Sequence, residues 1–370
     1  MRVFRSRTSL ILILALATSP FLFADYTYQE TTQITGGSLL SMMKMAGAFS
    51  SQARKAGEPV VSTIYLKDNR MAQVSADSTE IIDLDKETIT RIDNLKHTYT
   101  VVTFEQMKEQ MERARQEMQK QQAEHPSSAP AAKPDANDVK VSFDVKVRKT
   151  GGEKQVSGLS SKEAILTMTM NATDQKTQQN GAMAITNDMW MVPEIPGYDQ
   201  VREFHKRMAE KMGPIFAGVG MDMSKMLAQH PGADQAIADM GKEMQKLDGV
   251  PVMQVMRMGT TVNGQPLPAA SEAPLPPDAT PAMPSAGDVA KQSAASMLTS
   301  RFGLGGFGKK KQNDQPPADQ GQKGNAPPPT AAVLMESQTT VSSFSSAPVD
   351  SSHFEVPTGF KQVQSQMDKH

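Results

Sequence analysis

The residue types that most often carry chemistry are sparse in this chain, and they form no recognisable catalytic motif. The chain has no cysteine, which excludes thiol catalysis and zinc or iron–sulfur sites built on cysteine. No serine lies in a Gly-x-Ser-x-Gly turn, and no two of the six histidines are four residues apart, as a helical zinc site requires. We therefore predict a protein that is not an enzyme and that holds neither a metal nor a cofactor.

Two short stretches come close to ligand-binding motifs. Gly303–Lys310 resembles a phosphate-binding loop, but Lys310 stands where Ser or Thr should contact magnesium, and residues 312–317 cannot start the helix that follows such a loop. Asp83 and Asp85 lack the further oxygen ligands and the glycine of a calcium loop, so we interpret them as turn residues.

The same glycine-rich stretch closes an apolar and cationic segment. This segment either touches a membrane surface peripherally or is a solubilising basic patch, and both interpretations remain open. The formal net charge of -1 gives no electrostatic reason to expect nucleic acid as a partner. The residues that define the segment are Met297, Leu298, Phe302, Phe307, Lys309, Lys310 and Lys311.

Methionine is the compositional outlier, with 27 residues. Several of these side chains alternate with polar residues along predicted strands, and an unbranched, polarisable side chain suits a surface that accommodates varied apolar partners. The alternative is that methionine replaces leucine in an ordinary core. If a cavity exists, its predicted lining is Phe49, Val141, Phe143, Val145, Leu166, Met168 and Met170.

Antiparallel strands must position these residues. Ser62–Phe104 contains short runs rich in Ile, Val, Thr and Tyr, with a polar turn about every ten residues, which is typical of consecutive hairpins. Val139–Val147 alternates strictly between apolar and polar residues, so one face of its sheet is predicted to be buried and the other to face solvent. Further strands are predicted at Asp25–Thr35, 155–159, 163–173, 183–192, 250–262, 331–345 and 352–356.

Helical spacing of apolar residues occurs in three parts of the chain. Ser38–Lys55 is predicted as a helix that either packs on the sheet or acts as a lid over a cavity. Phe104–Glu124 carries only a narrow apolar stripe. Tyr198–Leu247 is predicted as a helical insertion between two strands, and its first helix is expected to end before Gly213-Pro214. The other two helices of this insertion are predicted at 221–229 and 233–247.

The ends and the proline content set the expected domain organisation. Residues 1–24 have the basic, apolar and small-residue regions of a secretory signal peptide, with an uncleaved N-terminal anchor as the alternative. One sheet domain is expected over residues 25–263 and 331–361. Residues 264–330 contain twelve of the 24 prolines and are predicted to be a disordered Pro/Ala/Gln-rich loop.

Three groups of residues resemble a bacterial family of exported proteins known only as a domain of unknown function. The resemblance covers most of the chain except residues 198–247 and 264–330. The groups are Lys67-x-Asn69-Arg70-Met71 with Ile81–Asp85 and Lys96-x-x-Tyr99, Gly151–Leu166 leading to Met189-Trp190-x-x-Pro193-x-x-Pro196-Gly197, and Phe354-Glu355-Val356-Pro357-x-Gly359-Phe360.

That family is in turn similar to the periplasmic lipoprotein carriers of the LolA/LolB-like fold. The resemblance implies a curved antiparallel half-barrel whose concave apolar face is covered by helices and binds acyl chains or other amphiphiles. It also implies that the Trp-x-x-Pro stretch ends a strand and that the Phe-x-x-Pro-x-Gly stretch closes the domain.

Together these observations predict an α+β protein with a curved antiparallel half-barrel, helices over one face, a helical insertion and a disordered Pro-rich loop. We expect a periplasmic or secreted protein that shelters a hydrophobic ligand, either a lipid or an acylated protein such as a lipoprotein. The alternative is a structural or interaction module that contacts an envelope protein and fills its core with its own side chains.

Overall fold

A computed structural model of the protein describes residues 25–46, 55, 57–124, 139–174, 180–228, 233–261, 264–275 and 331–364. Within these ranges the fold is α+β: an open, mostly antiparallel sheet of twelve strands with a few helices. The expected signal peptide, Phe49 and residues 276–330 lie outside the described residues.

The strands are β1 (Tyr26–Gly36), β2 (Val60–Lys67), β3 (Arg70–Ser75), β4 (Ser78–Asp83), β5 (Thr88–Asp93), β6 (Thr98–Thr103), β7 (Val139–Val156), β8 (Leu159–Asp174), β9 (Asn180–Val192), β10 (Val250–Thr261), β11 (Ala331–Ser345) and β12 (Lys361–Gln362). The helices are α1 (Ser38–Ala46), α2 (Phe104–Glu124), α3 (Asp199–Ala228) and α4 (Ala233–Met244), together with a 3-10 helix at Ser351–Phe354.

Two meanders meet at β1 in the middle of the sheet. The spatial order is β12-β6-β5-β4-β3-β2-β1-β11-β10-β9-β8-β7, and every described pair is antiparallel except β12 with β6. We call β2–β6 the short-strand half, since its strands have six to eight residues, and β7–β11 the long-strand half, since its strands have 12 to 18 residues. The strand β7 forms one edge of the described sheet.

The predicted polar turns of the short-strand half are confirmed, and they separate five strands. Asp68 and Glu87 adopt positive φ angles of 54° and 53°, the left-handed conformation that tight turns use and that Asp tolerates better than most residues. Asp83 is a turn residue as predicted, because its Oδ1 accepts hydrogen bonds from the backbone N–H groups of Asp85 and Lys86.

One face of the short-strand half packs against α2 and α3 in a single apolar core. Tyr26 from β1 and Phe204 from α3 have no exposed surface, and Ile64 from β2 is 3% exposed. Tyr198, just before α3, meets the rings of Tyr26 and Tyr28 with centroid distances of 6.2 and 6.0 Å. Burial and the neighbouring Tyr198 raise the pKa of Tyr26 to about 12.

The C-terminal segment covers the other face of the short-strand half. Val349 and Phe354 are buried against Ala72, Ile81 and Ile92. Burial of these apolar side chains stabilises the C-terminal segment on the sheet.

Several local predictions are wrong. The predicted strand at 155–159 contains the turn at Ser157-Gly158 between β7 and β8, and the predicted helix at 221–229 is largely the end of α3. The first helix of the insertion does not end before Gly213-Pro214, because α3 continues to Ala228. A proline costs about 3 kcal/mol inside a helix, and burial of the adjacent Ile215 in the core offsets that cost. The predicted strand at 352–356 is instead the 3-10 helix, since the side chain of Asp350 caps it by accepting from the Ser352 N–H at 2.8 Å.

Candidate functional site

One face of the long-strand half carries a broad apolar surface that is only half-buried. We call this surface the methionine face. Its side chains alternate along the strands with polar or charged ones, as the pleat of a sheet requires. Its half-buried members on β7, β8, β9, β10 and β11 are Phe143, Val145, Val147, Leu166, Met168, Met170, Met183, Ile185, Met256, Met258 and Met335. At one end of the same face, Ala164, Met189 and Met191 are buried in a small cluster with Leu166 and Leu247.

The register of the sheet aligns part of this surface into a continuous row. Val145 is opposite Met168, Met168 is opposite Ile185, Ile185 is opposite Met258, and Met258 is opposite Met335. The row therefore crosses all five long strands without a polar residue. Directly opposed side chains on one face are close enough to touch, so the row is one apolar strip rather than five separate residues.

Five of the seven predicted ligand-binding residues lie on the methionine face with described side chains: Phe143, Val145, Leu166, Met168 and Met170. A sixth, Val141, lies on β7 opposite Ala172, and only its backbone is described. The seventh, Phe49, is outside the described residues.

The opposite face of the long-strand half is polar yet deeply buried. Thr186 has no exposed surface, Asp188 and Arg257 are each 2% exposed, and Glu163 and Glu336 are under 9% exposed. Burial of charge is costly unless each charge is paired and hydrogen-bonded. A covering segment supplies much of that pairing.

We call residues 264–275 the strap, because they lie across this polar face. Thr186 Oγ1 donates to the carbonyl of Leu267 at 2.7 Å. The Asp188 carboxylate accepts from the backbone N–H of Ser271 at 3.0 Å. Since Leu267 is 1% exposed, the folded chain extends beyond the boundary that we expected at Gly264.

Arg257 is the centre of the polar face. Its Nη1 donates to three strap carbonyls, those of Pro268, Ala269 and Ala273, at 3.1, 3.0 and 2.8 Å. Its Nε donates to Glu336 Oε2 at 2.6 Å, in a buried ion pair. Its Nη2 has no hydrogen-bond partner among the described residues.

Glu163 and Asp188 form a buried carboxyl pair on the neighbouring strands β8 and β9. Burial raises the pKa of Asp188, and the hydrogen bonds that it accepts from Ser271 offset this only in part. Burial also acts to raise the pKa of Glu163, but hydrogen bonds from Ser271 and Thr150 lower it overall. Burial therefore favours the protonated form of Asp188, whereas the hydrogen bonds to Glu163 favour its ionised form.

A groove of about 310 Å³ opens beside the strap on the polar face. Lys154, Asp188, Trp190 and Arg257 line its charged and aromatic side, and Pro274 and Leu275 are on the strap side. The Lys154 ammonium lies over the Trp190 ring, 4.0 Å from its centroid. We call this cavity the tryptophan groove.

Sequence reasoning missed the polar face and its groove. A detectable signal was present, since Arg257 interrupts the run Val255–Met258 and Asp188 is the one charged residue of β9. A charged residue within the central strands of a sheet needs a partner if its side chain is buried. The strap that provides it could not be recognised from its proline-rich composition.

Neither metal ligation nor membrane spanning is indicated by the described residues. Among them, no three His, Cys, Asp or Glu side chains are grouped so that they could hold a metal ion. The helices in the described ranges include none that is long and apolar enough to cross a bilayer.

The chain matches no protein-family model, and no curated protein is significantly similar to it in sequence.

Proposed function

We propose that the protein is a non-enzymatic, exported carrier or sensor that shelters an acyl chain on the methionine face. The observation that carries this proposal is the apolar row from Val145 to Met335, which crosses five strands and is only half-buried in the described chain. An apolar surface of this extent and rimmed by polar residues is typical of a ligand or partner site.

The proposal includes the finer architecture that the resemblance to lipoprotein carriers implies. The sheet would curve into a half-barrel with the methionine face on its concave side. The right-handed twist of adjacent strands and the bulges in β10 and β11 favour such curvature. The helices α2 and α3 pack on the same face farther along the sheet, where they would close one end of the concave side.

The side chains on this face suit a flexible apolar ligand. Methionine fills irregular space because it is unbranched and has three rotatable bonds. An acyl chain is also variable in length and shape, and its burial gains about 0.8 kcal/mol per methylene. The ligand proposed is therefore a lipid or the acyl group of a lipoprotein.

A charge placed on this face tests the proposal. Phe143→Asp should weaken the binding of a fluorescent fatty acid by roughly tenfold or more, because a carboxylate beside a buried acyl chain loses its hydration. Ser142→Asp is the matched control, since Ser142 is the next residue on β7, is exposed and faces the opposite way. Titration of the mature protein with the probe, after lipid extraction, measures both.

Native mass spectrometry of the purified protein provides the independent readout. A co-purifying lipid or acyl species that the fatty-acid probe displaces supports the proposal. Equal affinities of the two variants for the probe, or no probe binding by lipid-free wild-type protein, would contradict it.

A second candidate function is an interaction module of the cell envelope. It is favoured by the core beneath the short strands, which the protein fills with its own side chains, including Tyr26 and Phe204. In that case the methionine face would contact an envelope protein, and the wild-type protein would ignore the fatty-acid probe.

A further inference from the structure

We infer that the tryptophan groove binds a small organic monoanion that has a flat apolar body and one carboxylate. This site is on the opposite face of the sheet from the methionine face and is independent of the proposed acyl-chain function. Four observations carry the inference: an unpaired lysine, a buried arginine with an unused donor, an aromatic platform and the charge balance of the lining.

Lys154 is the first observation. Its ammonium rests on the Trp190 ring at 4.0 Å, and within the described part of the chain it forms no ion pair. An ammonium has three donors and normally finds a carboxylate or water for each. Burial lowers the pKa of Lys154 even though the carboxylates of Asp188 and Glu163 act to raise it. An anionic ligand would supply the missing counter-charge.

Arg257 is the second observation. It is 2% exposed and lines the groove, and its Nη2 is without a hydrogen-bond partner among the described residues. Its other donors are fully used by Glu336 and by three strap carbonyls. A buried guanidinium with an unused donor is rare, because the unmade bond costs free energy.

The platform for the body of the ligand is the third observation. Trp190 is 9% exposed and lines the groove beside the Lys154 ammonium, and Met253, Val255 and Leu275 are the apolar neighbours in the lining. Aromatic rings stack favourably on a flat partner in an offset or edge-to-face arrangement. A volume of about 310 Å³ matches the lower end of small-molecule sites.

The charge of the lining is the fourth observation, and it selects a monoanion. Lys154 and Arg257 are positive, and Glu336 compensates Arg257 through their ion pair. Asp188 also lines the groove, and its carboxylate accepts from the backbone N–H of Ser271. Among the described residues of the lining, Lys154 is therefore the cation without an ion-pair partner, and one carboxylate would supply that partner.

Trp190 is the only tryptophan in the chain, so its fluorescence reports on this groove alone. The probe is 4-nitrobenzoate, a flat carboxylate that quenches indole fluorescence, and its matched neutral analogue is 4-nitrobenzamide. We expect saturable quenching by the carboxylate, with an apparent affinity at least about tenfold higher than that of the amide.

Variants of Lys154 separate this site from non-specific contact. Lys154→Gln should lower the affinity for 4-nitrobenzoate about tenfold and leave that for 4-nitrobenzamide unchanged, whereas Lys154→Arg should retain most of the binding. Lys162→Gln is the matched control, because Lys162 is an exposed lysine on the adjacent strand β8 whose ion pair with Glu153 is on the surface.

Several outcomes would overturn the inference. If the quenching of Trp190 fluorescence rises linearly with probe concentration, or is equal for 4-nitrobenzoate and 4-nitrobenzamide, the probe only collides with the indole ring and no binding site exists. Unchanged affinity of the Lys154→Gln variant for 4-nitrobenzoate would mean that Lys154 does not bind the carboxylate. Loss of quenching in Phe143→Asp would place the probe on the methionine face instead, whereas retained quenching there supports a separate groove and leaves the acyl-chain proposal to its own test.

Discussion

The short strands β2–β6 carry apolar clusters on both faces, whereas the long strands β7–β11 have a polar buried face and an apolar face that is mostly half-buried. Ile64 and Ile185 illustrate the difference, since both are isoleucines on the same face of one sheet. Ile64 is 3% exposed under α3, and Ile185 is half-buried in the methionine row.

The contrast shows a division between folding and binding within one sheet. The short-strand half uses its apolar side chains to bury Tyr26 and Phe204 completely, which is the packing that stabilises a domain. In the long-strand half, buried ionic pairs and the strap cover one face, while the row from Val145 to Met335 on the other face is only half-buried. Binding regions are commonly taken from the less stabilised parts of a structure.

The largest expected effect concerns the polar face. Glu336→Gln should destabilise the protein by about 3–5 kcal/mol, because it leaves the buried Arg257 guanidinium without its counter-charge. The matched control is Glu80→Gln in the short-strand half, where Glu80 pairs with Arg91 on the surface. That exposed pair should contribute at most about 1 kcal/mol. Urea unfolding of both variants measures the difference, and equal losses would contradict the contrast between the halves.

The next prediction compares the two isoleucines directly. Ile64→Ala should lower the free energy of unfolding by about 2–5 kcal/mol, because it leaves a cavity in a filled core. Ile185→Ala should cost less than half as much in the ligand-free protein, since Ile185 is partly in contact with solvent. Urea unfolding measures both free energies, provided that their dependence on urea concentration has the same slope in the two variants. If Ile185→Ala lowers the free energy of unfolding as much as Ile64→Ala does, the methionine face is part of an ordinary hydrophobic core.

The smallest expected effect is the pH dependence of the carboxyl pair. The pKa of Asp188 is raised in the folded state, so its contribution to stability is complete below its ordinary value and is lost as the pH rises through the raised pKa. The pKa of Glu163 is lowered, so its contribution is present above its ordinary value and is lost as the pH falls through the lowered pKa. The pair should therefore stabilise the fold most between these two values.

Asp188→Asn tests that assignment, because the amide keeps the shape but cannot ionise. The variant should lack the loss of stability that wild-type protein shows as the pH rises through the pKa of Asp188. Urea midpoints measured over a pH series provide the comparison. An identical decline of stability with pH in both proteins would mean that a group other than Asp188 causes it.

Much of the fold could be predicted because it is encoded locally. The turns of the short-strand half follow from Asp68, Asp83 and their neighbours, whose backbone preferences and side-chain hydrogen bonds act within three residues. The alternation along Val139–Val147 places Phe143 and Val145 on one face, because the side chains of a strand point to opposite faces in turn. Pro214 misled the same reasoning, since the packing of Ile215 with distant strands outweighs a local helix preference.

The sequence by itself determined most of the strands, their apolar and polar faces and the position of the methionines along them. These features depend only on residue type and on the alternation of side chains between the two faces of a strand. Only the tertiary structure decided which strands are neighbours, and therefore that Met168, Ile185 and Met258 form one row. It also decided that Arg257, on β10, finds Glu336 and the strap. Pairing over such distances depends on the register of the whole sheet, which no local pattern specifies.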